Sequence, residues 1–213
     1  MLPPAHGGAP DRLMILLHGY GADGNDLIGL GRHWAGLLPG ALFVSPNAPQ
    51  PCGQSPMGYE WFPLQLDRTL SRVTGAAAAR PALQAFLEAA WSQTGLGPAE
   101  TYLVGFSQGA MMALHLGLAL DRPLRGIVAF SGALIPPEGF GARPALAGPI
   151  LLLHGDADGV VDSELSRSAA AALAEAGYDV SLELFAGLGH GISPEALDAA
   201  GAFIAARERA GAA

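Results

Sequence analysis

Lysine is missing from this 213-residue chain, and all 11 basic residues are arginine. That absence reads as a coding bias rather than a functional signature. The basic residues are outnumbered by 19 acidic ones, for a net charge of −8. Such a balance argues against a nucleic-acid partner, whose phosphates would be repelled. It also disfavours steering of anionic substrates, so neutral ligands are expected. Cysteine occurs once, at Cys52, which excludes an internal disulfide framework and fits a reducing compartment. No apolar run approaches the ~18 residues needed to cross a bilayer. The opening MLPPAHGGAPDR shows neither a basic n-region nor an apolar h-region. These features predict a cytoplasmic protein with no stable membrane insertion. Charged residues make up only 14% of the chain and apolar residues 50%, so disorder is not expected and a large core is.

Short apolar runs alternate with longer helical patterns. The segments 12–19, 41–46, 101–107, 126–132, 149–155 and 179–185 read as strands, and most are continuously apolar, as parallel strands covered on both faces should be. Helices are expected near 26–38, 76–93, 108–120, 162–176 and 194–208, the last with Ser193 as N-cap and Pro194 at its first position. Such alternation implies an α/β fold with a mostly parallel central sheet and helices on both faces. Residues 47–72 break the rhythm as a long proline-rich loop carrying Tyr59, Trp61 and Phe62, and loops of that length are often functional. No repeat, linker or charge block divides the chain, which reads as one domain over 1–213. Ligands of open parallel sheets bind at the carboxyl ends of the strands. Here those ends carry the polar residues: HG, SPNAP, GFSQG, SGA, HGDAD and FAGLGHG.

One of these ends, Gly105-Phe-Ser-Gln-Gly109, fits G-x-S-x-G. With 30 glycines and 11 serines, about 0.2 chance matches are expected, so the pattern alone is weak. Its setting between a strand and a helix is that of a nucleophile elbow, with Ser107 as the candidate nucleophile. A serine needs a base, and the base a third group to orient it. His6 lies in the N-terminal segment, while His33 and His115 fall within helical patterns. His18 and His154 end strands in matching LLHG contexts suited to holding neighbouring loops. His190, between Gly189 and Gly191, follows the last strand, and it is the one histidine after the candidate acids in the order Ser, acid, His. Three aspartates crowd the preceding strand end. Asp156 fits a side chain turned back into its own turn, Asp162 suits a helix cap, and Asp158 sits at the loop apex. A calcium reading of this D-x-D-G run fails on the glycine position and the missing bidentate Glu. An oxyanion hole requires two backbone N–H groups. Gln108, after the nucleophile, supplies one candidate, and Tyr20, in the glycine-rich loop after the first strand, supplies the other. Cys52 lies in no elbow and has no visible partner.

Taken together, LLHGYGADGNDL (16–27), GFSQGAMMALHL (105–116), LLLHGDADGVV (151–161) and GLGHGIS (187–193) resemble the phospholipase/carboxylesterase family of α/β-hydrolases, which includes bacterial carboxylesterases and acyl-protein thioesterases. The resemblance runs over nearly the whole chain. It implies the α/β-hydrolase fold without a large lid domain, no metal and no cofactor, and cleavage of a small acyl ester or thioester. Position by position it matches Ser107 to the nucleophile, Asp158 to the acid and His190 to the base, with Tyr20 and Gln108 as oxyanion donors. It also admits a homodimer.

Two departures stand out. Family members usually carry an extra N-terminal hairpin, whereas only eleven residues precede the first strand here, so a trimmed sheet edge is expected. Many relatives also show an aromatic-aromatic-Asp pattern where this chain reads YEWFPLQ (59–65). Trp61, Phe62 and Leu64 there are candidates for an acyl pocket, or else for anchoring the loop to the core. The expected activity is a serine carboxylesterase for short- to medium-chain acyl esters. The alternatives are an acyl-protein thioesterase or lysophospholipase on the same residues, a non-catalytic acyl-binding module, and a metal-dependent hydrolase centred on HGDAD.

Overall fold

The computed structural model describes residues 1–142 and 148–211; of the expected 1–213 domain, 143–147 and 212–213 lie outside them. Six parallel strands form one sheet: β1 (Arg12–Leu17), β2 (Ala41–Val44), β5 (Thr101–Phe106), β6 (Gly126–Phe130), β7 (Ile150–Gly155) and β8 (Val180–Phe185). A separate antiparallel pair, β3 (Gln50–Pro51) and β4 (Tyr59–Glu60), lies within the long loop. The sheet order is β2-β1-β5-β6-β7-β8.

The continuous apolar runs are explained by two cores. Leu13, Ile15, Leu17, Leu103, Ile127, Ala129, Ile150 and Leu152 point to one face, while Met14, Leu16, Tyr102, Val104, Val128, Phe130, Leu151 and Leu153 point to the other. Successive strand residues project to opposite faces, so covering both faces makes every position apolar. Helices α2 (Arg68–Thr94), α3 (Gln108–Gly117) and α4 (Glu164–Glu175) cover the first face, and α1 (Gly24–Trp34) and α5 (Pro194–Gly211) the second. Among the described residues no helix is long and apolar enough to cross a membrane.

From β1 the chain moves outward to β2 and then returns to β5 on the other side of β1. The loops after β1 and β5 therefore diverge to opposite faces, and a crevice opens between them at this switch point. At the β2 edge, Leu2 makes a single antiparallel bridge to Phe43, with both backbone hydrogen bonds at 2.8 and 3.0 Å. This one bridge occupies the edge where the trimmed hairpin was expected.

Helix α2 starts eight residues before the predicted 76. Asp67 caps it, accepting the Leu70 N–H at 2.9 Å, and the loop is correspondingly shorter than 47–72. The capping signal is there in Asp67-Arg-Thr-Leu70, but Arg68 at the first position and the lack of an acid in the first turn run against the usual helix-start pattern.

Near the carboxyl end of α5, Glu208 ties three elements together. It accepts from Arg12 at 2.8 Å, from the Tyr102 hydroxyl at 2.7 Å and from Arg125 at 3.0 Å. Burial pushes the Glu208 carboxyl up, but these donors outweigh it and hold its pKa below the ordinary glutamate value. The stability it contributes is therefore complete above that ordinary value and fades as pH falls through the depressed one. Glu208→Gln should cost about 1–3 kcal/mol near neutrality. Thermal melts of both proteins at pH 7 and pH 3 should show the gap closing in acid.

Candidate active site

Ser107 sits on the turn between β5 and α3 with φ 54° and ψ −116°, a left-handed conformation that costs a non-glycine residue of order 1–3 kcal/mol. The turn is possible because its neighbours are glycines. A Cβ on Gly105 would drive into the Gly109 carbonyl, and one on Gly109 into the Leu17 carbonyl of β1. Close packing of α3 over the strand ends thus presents the hydroxyl at the crevice.

The Ser107 hydroxyl donates to His190 Nε2 at 3.1 Å. His190 Nδ1–H donates to Asp158 Oδ2 at 2.7 Å, and the imidazole rests on the Phe106 ring, with centroids 4.8 Å apart. The Asp158 side chain is buried, and its carboxylate is saturated with donors. Oδ1 accepts the Val160 and Val161 N–H groups at 2.8 and 2.9 Å, and Oδ2 accepts a second imidazole, His154 Nε2, at 3.1 Å. Burial pushes the Asp158 carboxyl up, but the bonds from His190, Val161 and Val160 prevail and hold its pKa below the usual value. The carboxylate stays ionised and fixes the His190 tautomer that leaves Nε2 free to accept a proton. Hydroxyl, imidazole and carboxylate lie in one line, an arrangement able to move the serine proton onto Nε2.

His18 and His154 hold loops, as their strand-end positions suggested. His18 Nε2 accepts the Ala48 N–H at 2.9 Å, which leaves Nδ1–H to donate to the Gly19 carbonyl at 2.7 Å. His154 Nε2–H reaches the Val161 carbonyl at 2.9 Å as well as Asp158, and Nδ1 lies 2.6 Å from the Ser166 hydroxyl. His154 thus positions the acid, a link that strand-end reading could not assign to a partner.

The other two aspartates also differ in detail from expectation. Asp156 does not face its own turn but accepts the Gly187 N–H at 2.7 Å, pinning the loop that carries His190. Asp162 accepts the Glu164 N–H at 2.9 Å; the residue at the N-cap is Ser163, whose side chain makes no capping bond.

Among the described residues, the Tyr20 and Gln108 amides hydrogen bond to no protein acceptor, and both residues line a cleft of about 350 Å³ with Ser107 and His190. The Tyr20 phenol is pushed up in pKa by the Cys52 thiol, by burial and by Glu60, so it remains a neutral hydroxyl. The acyl-pocket expectation needs correction. Leu64 lines the cleft, but Trp61 and Phe62 are 2% and 1% exposed and belong to the core. The Gln108 side chain turns them inward, accepting the Trp61 N–H at 2.8 Å and donating to the Phe62 carbonyl at 2.7 Å. Trp61 Nε1–H then donates to the His18 carbonyl at 2.9 Å. Phe106, Met111, Val160 and Val161 join Leu64 in the cleft wall. With Leu64 they come from three separate stretches of chain, near 64, 106–111 and 160–161, so no single sequence window pointed to them.

The fold and this cleft define a carboxylic ester hydrolase of the α/β-hydrolase class. The sequence profile of the phospholipase/carboxylesterase family matches residues 5–207, and the chain belongs to that family. It is similar to Esterase YpfH of Escherichia coli (strain K12), with 34% identity over 86% of this chain and 79% of that one. Acyl-protein thioesterase 1 of Gibberella zeae is 35% identical over 52% of this chain and 49% of its own length. The crystal structure of esterase PE8 superposes with a TM-score of 0.90 at 53% identity, covering 95% of each chain.

Replacing Gln108 with Ala keeps its backbone amide but leaves the Trp61 N–H and Phe62 carbonyl buried and unpaired. A loss of about 2–4 kcal/mol is expected. Denaturant unfolding measures the loss, and limited proteolysis should show faster cleavage between residues 47 and 67.

Proposed function

We propose that the chain is a single-domain serine carboxylesterase for short- to medium-chain acyl esters, with Ser107 as nucleophile, His190 as base and Asp158 as orienting acid. The observation that carries this reading is the unbroken hydrogen-bonded line from Ser107 Oγ through His190 to Asp158 at 3.1 and 2.7 Å. Ser107 Oγ attacks the carbonyl carbon as His190 Nε2 takes its proton. The new oxyanion lies against the Tyr20 and Gln108 N–H groups, each such donor being worth roughly 10²–10³ in rate. The imidazolium, stabilised by ionised Asp158, then protonates the departing alcohol and an acyl-enzyme remains. Water, activated by the same imidazole, attacks the acyl-enzyme and returns free serine and carboxylic acid. No cofactor enters these steps. The apolar wall formed by Leu64, Phe106, Met111, Val160 and Val161 takes the acyl chain, and the limited cleft volume favours short and medium lengths.

The relatives named acyl-protein thioesterases favour a second reading, cleavage of S-acyl peptides on the same residues. Turnover of an S-acyl peptide that exceeds that of the oxygen ester would select it.

Ser107→Ala should abolish p-nitrophenyl butyrate hydrolysis and labelling by a fluorophosphonate probe. Asp158→Asn should lower kcat by roughly 10⁴, whereas Asp162→Asn should act chiefly on stability. Steady-state kinetics of the three variants tests the assignment, and an active Ser107→Ala enzyme would overturn it.

A further inference from the structure

We propose that Arg68 and Arg72 of α2 form an anion-recognition element of the cleft and select ester substrates that carry a carboxylate or phosphate group. The proposal rests on the esterase reading above and extends it to substrate class. Both arginines line the same cleft as Ser107, Gln108 and His190.

Their placement is unfavourable for the helix that carries them. They occupy positions 68 and 72, an i,i+4 pair of like charges, at the amino end of α2, where the helix dipole repels cations. The first turn contains no acidic residue to offset them. Asp67, next in sequence, spends its carboxylate on the Leu70 N–H.

Among the described residues Arg32, Arg68, Arg72, Arg80 and Arg209 form no salt bridge or side-chain hydrogen bond, whereas Arg12, Arg122, Arg125, Arg167 and Arg207 each have a carboxylate partner. Of the unpaired five, Arg68 and Arg72 are the two that line the cleft. Arg72 is half-buried. Burial and then the like charge of Arg68 push its pKa down, with no acid acting in the other direction. A guanidinium remains charged under such pressure, so the cleft holds a partly desolvated cation without a counter-ion. An oxyanion-bearing ligand supplies that counter-ion, and the planar forks of two guanidinium groups match its oxygens bidentately. Asp26 on α1 also lines the cleft but pairs with neither arginine, which directs an anionic group toward α2. The net charge of −8 does not oppose this at short range, because charges beyond about 8 Å are screened at physiological salt.

The test compares three esters by acid titration: methyl butyrate, monomethyl glutarate with its carboxylate on the acyl side, and 2-(butanoyloxy)ethyl phosphate with its phosphate on the alcohol side. In the wild type, the ratio of kcat/KM for an anionic ester to that for methyl butyrate should fall as salt is raised. In the Arg68→Gln/Arg72→Gln variant the ratio should fall by about tenfold or more, mainly through KM, as expected for one lost charge-assisted contact. A fall for only one anionic ester supports the proposal and tells which side of the ester faces α2. An unchanged ratio for both overturns it. The substitutions relieve repulsion in α2, so the melting temperature should hold. Ser107→Ala, run in parallel, separates the two readings. Persistent methyl butyrate hydrolysis would overturn the esterase assignment, while an unchanged ratio removes only the role of the arginines.

Discussion

The cleft depends on how closely the first turn of α3 can lie over the ends of β1 and β5. Gly105 and Gly109 remove the two side chains that would otherwise hold the helix away from the Leu17 carbonyl. That approach forces Ser107 into its left-handed conformation and leaves the loop after β1, with Tyr20, lining the same cleft as Gln108. The strain is tolerated because α3 is buried along its whole length. A helix fixed on all sides cannot relax the turn at its amino end.

A second constraint is electrostatic. Asp158 is ionised in a buried place because four N–H groups, two from backbone and two from imidazoles, take up its oxygens. An unpaired buried carboxylate would neutralise instead. The loops after β7 and β8 are joined by Asp158 to His190, by Asp156 to Gly187 and by the Ala157 N–H to the Leu188 carbonyl at 3.1 Å. His190 is therefore held although the segment around it is glycine-rich, and its approach to Ser107 owes more to these cross-links than to its own loop.

The sheet and the strand-end location of the site were legible because both follow from local pattern. Doubly buried strands must be apolar throughout, and G-x-S-x-G between strand and helix has few other geometric uses. What escaped was non-local. Trp61 and Phe62 look like pocket residues in a loop, but their direction is set by Gln108, 46 or more residues away. The pairing of Asp156 with Gly187 spans 31 residues and leaves no mark in either segment. The start of α2 was missed for a different reason: its cap is ordinary, but a cation stands where acids are usual, and local propensity gave way to the chemistry of the cleft.

The Gln108 clamp has a consequence for how this scaffold can change. It grips the long loop at Trp61 and Phe62, so the loop is anchored on one side of Leu64 by that amide and on the other by Asp67 at the start of α2. The short span between the anchors faces the cleft through Leu64 while the elbow beneath it stays fixed. The Ser71 hydroxyl of α2 holds this span only through main chain, donating to the Pro63 carbonyl and accepting the Gln65 N–H. The side chain at 64 can therefore be exchanged to reshape what the cleft admits without disturbing the turn that carries Ser107.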